Sequence, residues 1–152
     1  MDVIFQCIPF NAFSVESLYQ VMQLRQEVFV VEQDCPYLDA DGRDPRALHV
    51  LGVDNTGDLV AYSRLFSKGI IYEKYAAIGR VVTASKVRGK GVGISLMRES
   101  IQQLKHHFGD EPIKISAQYH LRAFYEALGF RTIGEQYMED GIPHIGMIRK
   151  GS

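Results

Sequence analysis

Residues 76–93 read Ala76-Ala77-Ile78-Gly79-Arg80-Val81-Val82-Thr83-Ala84-Ser85-Lys86-Val87-Arg88-Gly89-Lys90-Gly91-Val92-Gly93, after which apolar residues recur at Leu96, Met97, Ile101, Leu104 and Phe108. The block Ala76 to Thr83 is an apolar run of strand length. The later series falls at helical intervals and marks one face of a helix. The glycines therefore join a strand to a helix. Such a loop sets backbone N–H groups, uncovered by bulky side chains, at the positive end of a helix, which suits phosphate oxygens. Gly91 and Gly93 allow close approach and Arg88 adds charge. The same glycines would equally serve a tight turn that binds nothing. Two familiar nucleotide loops are absent: Lys90 is followed by Gly91 rather than Ser or Thr, and no Gly-x-Gly-x-x-Gly stands in frame with an acidic residue about 20 positions on.

Upstream, Val3 to Ile8 reads as a strand. Ser14 then offers an N-cap, Glu16 sits in the first turn, and Leu18, Val21, Met22, Val28 and Phe29 define an amphipathic helix to about Val31. Arg25 falls on that apolar stripe and needs a partner. Glu32 to Ala47 is a polar loop with Asp39, Asp41, Asp44 and two prolines; loops of this length are often functional. Leu48 to Val53 and Leu59 to Phe66 are strands joined by the hairpin-like Asp54-Asn55-Thr56-Gly57-Asp58. Downstream, Ile113 to Ala117 is a strand, Tyr119 to Leu128 a short helix stopped by Gly129, and Thr132 to Met138 and Ile142 to Arg149 closing strands. The order β-α-β-β-β-α-β-α-β-β gives an α/β or α+β domain, residues 1–152. Its mixed sheet is parallel only where a helix links consecutive strands.

With 152 residues and 46% hydrophobic side chains, the chain can bury a core without staples. Seventeen basic against eighteen acidic side chains give no field that would draw it to nucleic acid or an anionic membrane. Cys7 and Cys35 fit neither a disulfide framework nor a zinc site. The opening Met1-Asp2-Val3-Ile4-Phe5 lacks a leader pattern, and no run approaches the ~20 apolar residues of a spanning helix, so a soluble, cytoplasmic protein is expected. A calcium loop starting at Asp39 would want Gly and Glu where Asp44 and Val50 stand, so no metal is expected. The acidic stretch is then either a rim that attracts a cationic acceptor or a cluster in which Asp41 or Asp44 neutralises Arg25. The second is favoured because buried charges need partners.

Arg88 to Gly93 resembles the Arg/Gln-x-x-Gly-x-Gly/Ala signature of the GNAT superfamily of N-acetyltransferases, with Ile78 to Thr83 at that family's spacing before it. Phe124-Tyr125-Glu126-Ala127-Leu128-Gly129-Phe130 is similar to the superfamily's closing segment. Leu24 to Gln33, Cys35 to Asp39 and Ala47-Leu48-His49 resemble its ElaA-like branch. The resemblance implies a mixed, mostly antiparallel sheet of six to seven strands, flanked by helices and splayed between its central parallel strands. It implies acetyl-CoA, or another acyl-CoA, as co-substrate. The backbone of Val81, Val82 and Thr83 would pair with the pantetheine arm, Arg88, Gly89, Lys90, Gly91, Val92 and Gly93 would hold the pyrophosphate, and Gln118 would touch the cofactor.

Tyr125 is implied as general acid, since a phenol near pKa ~10 can protonate a departing thiolate. Composition alone would make it a core aromatic beside Phe124 and Phe130. Many relatives place a glutamate on the strand occupied here by Ile78 to Thr83, and this chain has none there. The base therefore stays open among Glu32, His49 and His144, each of which also has a purely structural explanation. The acceptor would be an amine of a small molecule, protein or peptide, its pocket walled by Glu32 to Ala47 and Glu139 to Met147, and a homodimer is left open. Two alternatives stand beside this one. Arg25, Phe29, Glu32, Asp41, Asp44 and Arg64 are similar to a pattern in acyl-homoserine-lactone synthases, although the chain has no Trp. The missing strand glutamate would also suit a non-catalytic acyl-CoA sensor.

Overall fold

The computed structural model describes residues 2–151; Met1 and Ser152, the ends of the expected domain, lie outside them. The elements in chain order are β1 (Ile4–Pro9), α1 (Val15–Arg25), β2 (Leu48–Val53), β3 (Leu59–Phe66), β4 (Ala76–Thr83), α2 (Val92–Phe108), β5 (Ile113–Gln118), α3 (Arg122–Glu126), β6 (Arg131–Glu139) and β7 (Ile142–Arg149). The strands form one seven-stranded sheet in the order β1-β2-β3-β4-β5-β7-β6. Only β4 and β5, linked through α2, run parallel, and every other neighbouring pair is antiparallel. This is the expected fold class with its full complement of strands. No helix among the described residues is long and apolar enough to cross a membrane.

The helices cover opposite faces of the sheet. Leu96, Met97 and Leu104 of α2 are buried against Val60, Leu65, Ile78, Ile113 and Ile115, while Val21 and Leu24 of α1 pack with Leu51, Tyr62 and Val82. Ile78 and Val82 are four residues apart on β4 and would share a face in a regular strand. They face different helices because β4 is bulged: Tyr62 pairs with Val82 but Arg64 with Gly79, so Ser63 opposes two residues. The bulge is carried by Arg80, whose φ of 49° is unusual for a non-glycine residue.

After Ala77, before the bulge is reached, β4 and β5 part company. They pair only at Ala76 with Ile113 and Ala77 with Lys114, and β5 continues instead along β7 to Gln118. The splay implied by the family resemblance is present. From Ile78 to Thr83, β4 therefore presents a backbone edge that its parallel neighbour does not take up.

The helix that was expected to run to about Val31 changes character at Gln26. Residues Gln26–Glu32 form a π-helical segment, with Gln33 N–H reaching the Val28 carbonyl at 3.1 Å and Cys35 N–H the Val30 carbonyl at 2.9 Å. The wider turn re-phases the side chains, keeping Val28 in the core and bringing Phe29 and Glu32 to the splay.

The loop that follows is stapled to the sheet by three arginines. Arg25 is fully buried (0% exposed), its Nε 2.8 Å from Asp39 and its Nη1 2.8 Å from Asp44. Arg64 on β3 pairs with Asp41 at 2.5 Å and Asp44 at 2.9 Å, and Arg80 pairs with Asp39 at 2.8 Å. Burial alone would push the Asp41 and Asp44 carboxyls up, yet the arginine hydrogen bonds and charges carry both below the ordinary carboxylate range. The acidic stretch is thus a structural cluster. Arg25 takes Asp44, as one expectation had it, and also Asp39, while Asp41 serves Arg64.

Candidate active site

The splay opens into a cleft of about 440 Å³. One wall is β4 from Ile78 to Thr83, another is β5 at Ile115, Ser116 and Gln118, and the π-helical segment contributes Glu32. Tyr125 of α3, and Glu139, Ile142 and His144 around the β6–β7 turn, complete it. Val81, Val82, Thr83, Arg88, Gln118, Tyr125, Glu32 and His144, all marked in the sequence, meet here.

At the start of α2, Gly91 is the N-cap residue with a φ of 79°, and Gly89 has a φ of 78°. Both lie in the left-handed region that favours glycine, and a Cβ on either would meet nothing within 4 Å. The space in front of the loop is open. No side chain caps α2 and no acidic residue occupies its first turn, so its leading N–H groups lack a side-chain acceptor. Those are the features an anion needs. Gly93 is different: a Cβ there would lie 3.6 Å from the Phe124 ring, an ordinary contact. The side chain of Arg88 turns back across the cleft. It forms a two-pronged ion pair with Glu32, and its Nη2 donates to the Thr83 carbonyl at 3.1 Å. The Arg88 hydrogen bond holds the Glu32 carboxyl below its ordinary value.

Tyr125 is 7% exposed and packs edge-on against Phe124 and Phe130. It is therefore a core aromatic and a cleft residue together. Burial pushes its phenol up to about 12. Gln118, at the end of β5, donates its amide to Gln33 at 3.3 Å, linking the splayed strand to the π-helical side.

The three base candidates separate. His49 is 1% exposed, does not line the cleft, and has both ring nitrogens engaged, with Tyr62 hydroxyl at 2.6 Å and Asp44 carbonyl at 3.0 Å. It is a structural residue beneath the arginine cluster, which corrects its candidacy as a substrate group. Glu32 is in the cleft but bound to Arg88. His144 is in the cleft with Nδ1 on the Ile142 carbonyl at 2.7 Å and Nε2 3.5 Å from Glu139.

Sequence reasoning missed Ser116 and Tyr137, and held Glu139 only as the edge of a stretch expected to wall the acceptor pocket. Ser116 Oγ lies 2.5 Å from Tyr137 hydroxyl and 3.2 Å from Glu139. Their only sequence signal is that Tyr137 and Glu139, two apart on a strand, share a face. Among the described residues no group of three or more His, Cys, Asp or Glu side chains is arranged to hold a metal ion.

Residues 44–150 match the family model described as an acetyltransferase (GNAT) domain. The chain is 44% identical to Protein ElaA of Escherichia coli over 95% of each chain. The crystal structure of Escherichia coli ElaA superposes with a TM-score of 0.90 at 42% identity, covering 98% of this chain and 100% of that one. An acyl-CoA N-acyltransferase from Pseudomonas aeruginosa also gives a TM-score of 0.90, at 41% identity over 97% of this chain and 99% of that one. The AHL synthase LasI shares the fold alone, with a TM-score of 0.81 at 13% identity over 98% of this chain and 90% of that one.

Proposed function

Because the chain belongs to the GNAT acetyltransferase family, we propose that it transfers an acetyl group from acetyl-CoA directly to an amine, with the thioester held between β4 and β5. The observation that carries this is the pairing of an open β4 edge with an uncapped helix start. An extended amide-bearing arm that ends in a pyrophosphate needs both, in that order along the chain.

Acetyl-CoA supplies the activated acyl group; the chain supplies positioning and proton handling. Val81, Val82 and Thr83 offer backbone for strand addition to the arm. Arg88 to Gly93 hold the pyrophosphate through backbone N–H groups, with Arg88 exchanging Glu32 for phosphate. Gln118 contacts the arm from the other strand. A backbone N–H at the β4 bulge stabilises charge developing on the carbonyl oxygen. The Tyr125 hydroxyl, fully protonated at neutral pH because burial pushes it to about 12, donates to the departing sulfur. Direct transfer needs no covalent enzyme intermediate.

Two measurements test this. Calorimetric titration with CoA should give one site, and Gly91→Val, which forces a side chain into a left-handed backbone, should lose it while keeping the fold by circular dichroism. Free-thiol release from acetyl-CoA, screened against small amines, polyamines, aminoglycosides and proteins with free N-termini, should find an acceptor. CoA affinity unchanged by Gly91→Val would remove the loop assignment, and tight CoA binding without transfer to any amine would favour a sensor.

A further inference from the structure

Resting on the acyl-transfer function above, we propose that His144 is the base that takes the proton from the acceptor's ammonium group. Glu139, with Ser116 and Tyr137, builds the subsite that receives this ammonium, and these oxygens suit the several N–H bonds of a primary amine. The Ile142 carbonyl can only accept a hydrogen bond, so His144 Nδ1, 2.7 Å away, carries the hydrogen. In the neutral ring Nε2 then holds a lone pair. That nitrogen lies 3.5 Å from Glu139 Oε2, and a carboxylate, which has no hydrogen to donate, leaves the lone pair available. His144 is 7% exposed yet lines the cleft. Its ring is stacked on Tyr137 with centroids 6.3 Å apart. Tyr137 meets Ser116 Oγ at 2.5 Å, and Ser116 donates to Glu139 at 3.2 Å. One carboxylate thus joins the histidine to a hydroxyl pair, each able to orient an N–H.

A histidine kept only for structure would have both nitrogens satisfied, as His49 does. His144 has one. The charged and titratable groups facing it are Glu139 and Tyr137 from β6, while its cross-strand neighbour on β5 is the neutral Gln118. Among the cleft's other carboxylates, Glu32 is held by Arg88 and Asp39 by Arg25 and Arg80. Asp140, also in the cleft wall, accepts from the Cys35 thiol through its backbone carbonyl at 3.0 Å.

The protons balance as follows. Nε2 removes one proton from R–NH3+ and returns it to solvent. The freed amine forms the N–C bond as the C–S bond breaks. Sulfur takes the Tyr125 proton, and the second proton lost by nitrogen restores Tyr125 through water. One proton is released per acetyl group transferred.

The test uses the full-length protein, uniformly 15N-labelled, with and without CoA. Two-bond 1H–15N spectra, with the His144 signals identified by their loss in His144→Gln, should show the Nδ1–H tautomer at pH 8. Titration with n-butylamine or spermidine should shift the His144 Nε2 signal, and Glu139→Gln should remove that response. An Nε2–H tautomer, or no amine-dependent shift in the wild-type protein, overturns the proposal. With an amine that the wild type acetylates, His144→Gln should keep the CoA Kd within ~2-fold, lower kcat/KM by ~10²-fold and remove the acid limb of its pH profile. A rate equal to wild type also overturns it. Failure of the wild-type protein to bind CoA would instead strike the acyl-transfer function, and leave the tautomer and the amine response as independent observations.

Discussion

His49 donates from Nε2 to the Asp44 carbonyl, which can only accept, and as a neutral ring accepts at Nδ1 from the Tyr62 hydroxyl. Burial is the main reason its pKa falls to about 4. The folded value lies below the unfolded one of ~6.5, so its contribution is complete above pH ~6.5 and is lost as pH falls toward 4, by roughly 3 kcal/mol at most. Urea unfolding at intervals from pH 7 to 4.5 should show this decline, and His49→Gln, already less stable at pH 7, should show a flatter one. Asp41 and Asp44, held low by their arginines, act in a separate window below the ordinary carboxylate range. Tyr125 makes the opposite case: it sits on the cleft, and Tyr125→Phe should leave the CoA Kd unchanged while lowering kcat by ~10²-fold or more, read by thiol release. Its place on the cleft was legible because Tyr125 stands in a recognisable segment. The sorting of Glu32, His49 and His144 was not legible, because it depends on which of them meets Arg88, Tyr62 or Glu139 across the sheet.

The strand limits at Leu48–Val53, Leu59–Phe66 and Ala76–Thr83 were readable from apolar runs and turn residues, and the structure has those limits. The two irregular elements were hidden. A π-helical turn over Gln26–Glu32 preserves enough apolar spacing to look like continued α-helix, and the β4 bulge adds one residue without breaking an apolar run. Both irregularities bring residues to the splay, and both lean on the arginine staple. Arg25 lies at the end of α1 just before the π-helical segment, and Arg80 ties the bulge to Asp39. Arg25→Met should cost about 3–5 kcal/mol in denaturant unfolding, because it leaves Asp39 and Asp44 buried beside an apolar side chain. Asp39 and Asp44 were visible in sequence as acidic loop residues, but their pairing was only partly foreseen. Arg80 escaped notice because a charge inside an apolar strand looks like an outward-facing residue until the bulge is seen.

At the scale of the molecule, one topological fact organises the rest: β4 and β5 are parallel neighbours that stay paired for two residue pairs and then separate. The separation makes a cleft in the middle of a sheet whose other neighbouring strands stay paired toward both ends, across local bulges, with α2 starting at one side and the β6–β7 turn at the other. A ligand seated there should stiffen the open β4 edge and the glycine loop together. Hydrogen–deuterium exchange of the full-length protein, with and without saturating CoA, reads this directly. Slowed exchange in peptides spanning 78–83 and 88–93, with little change at 98–111, whose Arg98, Leu104 and Asp110 line a separate cavity with Ile113 and Arg149, is the predicted result. Protection confined to 98–111, or none in 78–93 under conditions where CoA is bound, would contradict it.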